Sequence, residues 1–293
     1  MKTSRRNFFQ SLGLTIGGIG LTAAAGGVST AGAEEPAREK KQGPGKVGVE
    51  WLGHGSFLFV SSEGKRILFD PWIATNPSCP GKYKRKGSFE NIDYIIWTHG
   101  HVDHFMLGDA QDLIGDYNPK IIAPWELSFF IKSEIPQANT LTFTLGNKGA
   151  TSDFDGIGIS MVEAFHSAGA QLTGFEGTNR FVGEPVGYVF EFENGLTLYH
   201  SGDTSLMSDM KTVIGDYYKP DISILPMGGV FTMGPSEAAH ACSMINSKLV
   251  IPEHYATFPV LEPNAERFKQ EVEKRAPGVE VLELQPGKMV SLS

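Results

Sequence analysis

Hydrophobic and polar residues alternate in short runs along most of the chain, with glycine, proline, asparagine or aspartate between the runs. Val47-Gly48-Val49-Glu50-Trp51-Leu52 and Ser56-Phe57-Leu58-Phe59-Val60-Ser61 are the first two. Runs of this length and composition predict strands. The same reading places strands at 66–69, 93–97, 120–123, 140–145, 157–164, 185–192, 196–199, 221–225, 249–251, 279–284 and 289–292. Apolar spacings of three and four residues predict helices at 106–114, 124–133, 205–217, 236–246 and 264–275. Pro235, followed by Ser236 and Glu237, marks a helix start. Strands are grouped early and then alternate with helices, so the pattern predicts an α/β fold of sheets flanked by helices. No linker-like stretch interrupts residues 47–293, which are read as one domain.

The first 33 residues follow a different pattern. They carry Lys2, Arg5 and Arg6 and no acid, then a weakly apolar, glycine-rich stretch, and end in Ala31-Gly32-Ala33. A basic start, an apolar middle and small residues at the end are the parts of a cleavable export signal. Ser4-Arg5-Arg6-Asn7-Phe8-Phe9 resembles the twin-arginine signal, which implies export of a folded protein by the twin-arginine machinery to the periplasm or beyond. The stretch is too rich in glycine and hydroxyl residues for a good membrane span, so no stable span is expected after cleavage. Residues 34–46 are charged and hold proline and glycine, as a flexible linker does.

Charge and cysteine content narrow the partners. The whole chain has a formal charge of −8. Three of its 25 basic residues lie in the leading segment, so the remainder sets 22 against 33 acids, near −11. That balance argues against binding nucleic acid or an anionic membrane. The one dense positive run is Lys82-Tyr83-Lys84-Arg85-Lys86; it reads first as a solvated face, and otherwise as a lure for an anionic substrate. Cys79 and Cys242 are the only cysteines and are expected to stay unpaired.

Chemistry concentrates in Trp97-Thr98-His99-Gly100-His101-Val102-Asp103-His104-Phe105, which holds three of the eight histidines. Alternation in an extended segment points His99 and His101 the same way, so both can reach one ion. After a turn, Asp103 and His104 can serve a second. Imidazole and carboxylate donors suit zinc, with manganese or iron as alternatives. Two ions need further ligands, and His166, Asp203 and His254 each follow a predicted strand, where α/β folds build their sites.

The pattern T-H-x-H-x-D-H, followed by a strand-end histidine, Gly202-Asp203 and His254, resembles the metallo-β-lactamase fold superfamily. Three stretches resemble more narrowly its small metal-dependent hydrolases related to the ascorbate-6-phosphate lactonases. They are Trp51-Leu52-Gly53-His54-Gly55-Ser56-Phe57, the run 231–239, and Ile251-Pro252-Glu253-His254-Tyr255-Ala256-Thr257-Phe258-Pro259. The resemblance implies a four-layer αβ/βα sandwich with the site at one edge between the sheets. It assigns His99, His101 and His166 to one ion and Asp103, His104 and His254 to the other, with Asp203 bridging. It makes Asp70 the outer aspartate that orients the metal loop, although an aspartate before Pro71 could also simply start a turn.

His54 becomes a substrate contact or outer donor, or else a structural histidine, and Asp103 a catalytic proton acceptor as well as a ligand. Tyr255 and Thr257 would offer hydroxyls near the ions. His200 and His240 are read as structural. The implied activity is hydrolysis of a small ester, lactone, amide or phosphoester. Flavin-dependent relatives usually carry glutamate where His101 stands, which disfavours redox chemistry. The alternatives are a non-catalytic metal-stabilised binding protein, or thiol chemistry of the glyoxalase or persulfide-dioxygenase kind.

Overall fold

The computed structural model describes residues 45–293 apart from 141, 144–145 and 172–178. The predicted export signal and nearly all of the predicted linker lie outside the described residues, as does part of the strand predicted at 140–145. All the described residues belong to one compact unit, Lys40–Ser293.

Two seven-stranded sheets form its centre. The first has the order β16-β1-β2-β3-β4-β5-β6, from β1 (Val47–Gly53), β2 (Ser56–Val60), β3 (Arg66–Phe69), β4 (Tyr94–Ile96), β5 (Lys120–Ile122), β6 (Thr142–Phe143) and β16 (Met289–Leu292). The second has the order β15-β14-β13-β12-β11-β8-β7, from β7 (Thr151–Phe154), β8 (Ile157–Glu163), β11 (Val186–Glu191), β12 (Thr197–His200), β13 (Ile222–Pro226), β14 (Leu249–Glu253) and β15 (Glu280–Val281). A small hairpin, β9 (Ala170–Gln171) with β10 (Asn179–Arg180), stands apart.

Each sheet is antiparallel on one side and parallel on the other. Pairing is antiparallel from β16 to β3 and from β7 to β12, and parallel from β3 to β6 and from β12 to β15. Parallel neighbours need crossovers. Among the described residues, α-helices α1 (Leu107–Tyr117), α2 (Trp125–Glu134), α3 (Pro235–Ile245) and α4 (Glu266–Arg275) and a π-helix at Met210–Tyr218 supply five of them, and the loop between β3 and β4 supplies the sixth.

The two-residue period decides which side chains join the sheets. Val47, Val49 and Trp51, Phe57 and Phe59, Ile67 and Phe69, and Tyr94 and Ile96 face the core shared with the second sheet. Their neighbours Leu58, Leu68, Ile95 and Ile121 turn outward to meet α1 and α2. Phe59 and Phe69 meet Phe190 across the interface at 5.7 and 6.1 Å between ring centres. Removing such a ring typically costs about 3–5 kcal/mol. On the far face of the second sheet, Ile214, Ala238, Cys242, Phe268 and Val272 bring in the π-helix, α3 and α4. The result is the helix–sheet–sheet–helix sandwich that the family resemblance implies.

Local differences have local causes. The helix predicted at 205–217 begins only at Met210 and is wound wider, ending with the Lys219 N–H donating five residues back to Ile214. Residues before it are held by the site instead: the Ser205 N–H donates to Phe165 O at 2.9 Å. The helix predicted from 264 begins at Glu266, whose N–H is accepted by the Asn264 side chain at 3.0 Å. β7, β9 and β10 were not predicted; β7 is a half-exposed edge strand with no apolar alternation, and β9 and β10 have two residues each. Cys79 and Cys242 are both free and buried, one in each apolar cluster. Among the described residues no helix is long and apolar enough to cross a membrane.

Candidate metal centre

The histidines and aspartates of interest all follow strand ends on one edge of the sandwich. His54 sits in the β1–β2 turn, Asp70 directly after β3, and residues 98–104 between β4 and α1. His166 follows β8, Asp203 follows β12, and His254 follows β14. In parallel sheets this is where side chains from separate strands can converge.

The backbone there is under strain. His54, Asp70 and His254 hold φ values of 57°, 41° and 58°, and Ala256 one of 58°. Left-handed conformations of non-glycine residues cost energy and gather at functional sites. Close approach adds to this. A Cβ on Gly100 would lie 2.4 Å from Val182 Cγ2, and one on Gly228 only 1.8 Å from the His254 carbonyl oxygen.

Among the described residues three groups of donors result, each with its atoms within 4.8 Å of one another. The first is His99, His101 and His166, the second is His54, Asp103, His104 and His254, and the third joins Asp70 to His99 and His104. Asp203 lies between the first two. Its Oδ2 is 3.2 Å from His254 Nε2, 3.3 Å from His104 Nε2, 3.5 Å from His166 Nε2 and 4.0 Å from His99 Nε2. Within the first group His101 Nδ1 is 3.1 Å from His99 Nε2 and 3.3 Å from His166 Nε2.

Asp70 anchors the loop from behind. It accepts from the Thr98 N–H at 2.7 Å and the Thr98 hydroxyl at 2.6 Å, and its Oδ2 is 2.9 Å from His104 Nδ1. Thr98 Oγ1 also lies 2.8 Å from His99 Nδ1. One buried carboxylate thus orients a ring of each group. Thr98 was not singled out from the sequence; its place in the T-H-x-H-x-D-H pattern is the signal that could have found it.

His54 lies deeper than a substrate contact needs to. Its Nε2 is 3.0 Å from Asp103 Oδ2, and its ring is 3.8 Å from that of His254. It is fully buried, and its Nδ1 lacks a hydrogen-bond partner.

The electrostatics suit a cation. Burial, reinforced by the His104 charge, holds His99 well below the usual imidazole value. Burial also lowers His101, with His166 adding to it, and lowers His166 despite Asp203. Burial and His254 bring His54 down to about 4. Burial opposes ionisation of Asp203, but His104 and His254 overcome it and keep its pKa well below the ordinary range. Asp103 behaves likewise against burial, through His54 and His104.

Neutral imidazoles and ionised carboxylates are the forms that bind metal. His104 moves the other way: burial would lower it, yet Asp203 and Asp70 raise it well above its usual value. Their pull on positive charge is the pull a cation would feel at the same place. Asp203 Oδ1 and His104 Nε2 are buried without hydrogen-bond partners, and the three imidazoles and carboxylate of the second group are a donor set for borderline divalent ions. The residues therefore fit a metal centre.

Other candidates lie elsewhere. Tyr255 stacks on Trp51 at 5.1 Å and donates its hydroxyl to Glu283 at 3.4 Å, while the Thr257 hydroxyl donates to the Tyr255 carbonyl. Neither hydroxyl meets a donor group. His200 packs fully buried on Phe69 with ring centres 4.0 Å apart, and His240 is exposed on α3. Glu253, overlooked in the sequence, is fully buried beside His254, 3.5 Å from His200 Nε2, and burial raises its pKa well above the carboxylate range.

The three lysines of the basic run are matched by acids or a carbonyl. Lys82 Nζ lies 2.9 Å from Glu50, Lys84 Nζ donates to Asn76 O at 2.6 Å, and Lys86 Nζ is 3.4 Å from Asp116.

Comparison with known proteins agrees with this geometry. The family profile of the beta-lactamase superfamily domain matches residues 48–254. A UPF0173 metal-dependent hydrolase of Herpetosiphon aurantiacus is 40% identical over 82% of this chain and 95% of its own length. One from a Roseiflexus species is 38% identical over 83% and 96%. Among solved structures, Igni18, a metallo hydrolase of the archaeon Ignicoccus hospitalis, superposes with a TM-score of 0.71 at 30% identity, over 85% of this chain and 99% of that one. The chain belongs to the metallo-β-lactamase superfamily and, within it, to the UPF0173 family of metal-dependent hydrolases.

Proposed function

We propose that the protein is an exported two-metal hydrolase acting on a small ester, lactone, amide or phosphoester. The observation that carries this reading is the meeting of four imidazoles around one oxygen of Asp203 at 3.2–4.0 Å. His99, His101 and His166 would hold one ion, Asp103, His104 and His254 the other, and Asp203 would lie between them. Zinc is the proposed metal, with manganese or iron the alternatives for the same donors. Divalent ions at such a centre supply Lewis acidity and a water acidic enough to ionise near neutral pH.

The chain's own residues do the rest. Asp70 and Thr98 keep the His99 and His104 rings oriented. His54 Nε2–H restrains Asp103 Oδ2, and the Asp103 carboxylate would accept a proton released during hydrolysis and return it to the leaving group. His101 and His166 are half-buried, which leaves that side of the centre open to a substrate.

Purified protein is expected to hold close to two equivalents of transition metal, and chelation is expected to abolish hydrolysis of activated esters or phosphodiesters. Turnover of such substrates by metal-free protein would refute the reading. Export is tested separately by cell fractionation: replacing both Arg5 and Arg6 with lysine should retain the protein in the cytoplasm.

A further inference from the structure

We propose that the substrate of this centre carries a neutral apolar group, received by an apolar rim built on the ligand-bearing loops. This inference rests on the metal-hydrolase reading and names the substrate class for it. Large hydrophobic side chains are normally buried, and their clustering in the open marks a binding surface. Phe165 is 70% exposed and directly precedes His166; Val230 and Phe231, 71% and 53% exposed, follow β13; Val260, 61% exposed, follows His254.

Hydrogen bonds bring these loops together beside Asp203. The Phe165 N–H donates to the Thr204 hydroxyl at 2.9 Å, the Ser205 N–H donates to Phe165 O at 2.9 Å, and the Met233 N–H donates to Thr204 O at 3.3 Å. Thr204, next to Asp203, therefore fixes both phenylalanine-bearing segments.

Val230 adds an independent observation. It holds φ at 59°, a left-handed conformation in which a β-branched residue is a true outlier. Asparagine or glycine would sit there with less strain. The strained turn instead displays an apolar side chain to solvent.

Val230 and Val260 line a groove of about 410 Å³. Its near end is Gly228, packed against the His254 carbonyl, and the Glu262 N–H donates to Gly228 O at 3.0 Å. The cation in its lining, Arg267, is paired with Glu262 at 2.9 Å. Lys82, Lys84 and Lys86 are likewise engaged with acids or a carbonyl. The rim therefore offers apolar surface, its cation is already matched, and Glu237 in the groove lining adds a carboxylate that disfavours an anionic group there. An alkyl or aryl group is the occupant that fits an apolar rim beside an open, half-buried centre.

The test uses the metal-loaded full chain and linear alkyl hydroxamates from acetyl to octanoyl, with binding measured by calorimetry. A methylene that is fully buried strengthens binding up to about fourfold. The expected result is a rise of at least about tenfold across the series, reduced at least about threefold in Phe165→Ser and in Val230→Asn at unchanged metal content. A flat series, or tightest binding by a hydroxamate ending in a carboxylate, overturns the inference.

Nitrophenyl esters of the same lengths separate the two readings. A graded hydroxamate series without hydrolysis of any ester would keep the apolar site and remove the hydrolase. Hydrolysis with no dependence on chain length would do the reverse. Light scattering and neutral phosphatidylcholine vesicles cover other occupants. If Phe165→Ser abolishes a dimer or vesicle binding while the hydroxamate series stays flat, the rim is an interface and the inference fails.

Discussion

The two donor groups around Asp203 are built differently. One gathers His99, His101 and His166, of which only His99 is buried. The other gathers His54, Asp103, His104 and His254, three of them buried, and holds a carboxylate of its own. A cation in the second group would meet more negative charge and less water, since ion–ligand attraction strengthens as water is excluded. The difference predicts a division of labour for the two proposed ions: one half would retain its ion, and the other would stay open to exchange and to substrate.

The most severe way to break the comparison is to remove what the halves share. Asp203→Asn is expected to lower bound metal from about two equivalents to one or fewer. Activity should fall by more than the roughly 10–100-fold typical of losing an outer partner. Metal analysis with steady-state kinetics checks this.

Asp70→Asn tests whether the halves are anchored together. Its oxygens touch Thr98 and His104, so the loss should weaken metal binding by about 10–100-fold, more on the His104 side than on the His99 side. Competition with a zinc-binding dye measures it.

Gly228→Ala reaches the retaining half through the backbone alone. The new methyl group meets the His254 carbonyl, and crowding of this kind costs about 1–3 kcal/mol, visible as a lower unfolding midpoint. Graded chelation probes the smallest difference. One equivalent should leave before the other, and a single-step loss of both would contradict the division of labour.

The halves also differ in how far the sequence reveals them. His99, His101, Asp103 and His104 lie within six residues, so their meeting is a local property of an extended run that turns into a helix. His166, Asp203 and His254 are dispersed over 88 positions, and each was marked only by following a strand. His54 was legible as a glycine-flanked residue after a strand, but not as a neighbour of Asp103 49 positions away. Glu253 looked like strand filler until burial against His200 set it apart. The groove beside the apolar rim had no linear signal, because its walls come from loops about 30 residues apart.

The strand period, the helix crossovers and the local histidine cluster follow from sequence alone, because alternation and short spacing act through the nearest neighbours. Which remote donors share Asp203, how deep each half lies and what surrounds the opening were decided by tertiary structure. They depend on sheet register and on left-handed turns at His54, Asp70 and His254, and no short stretch of chain encodes those.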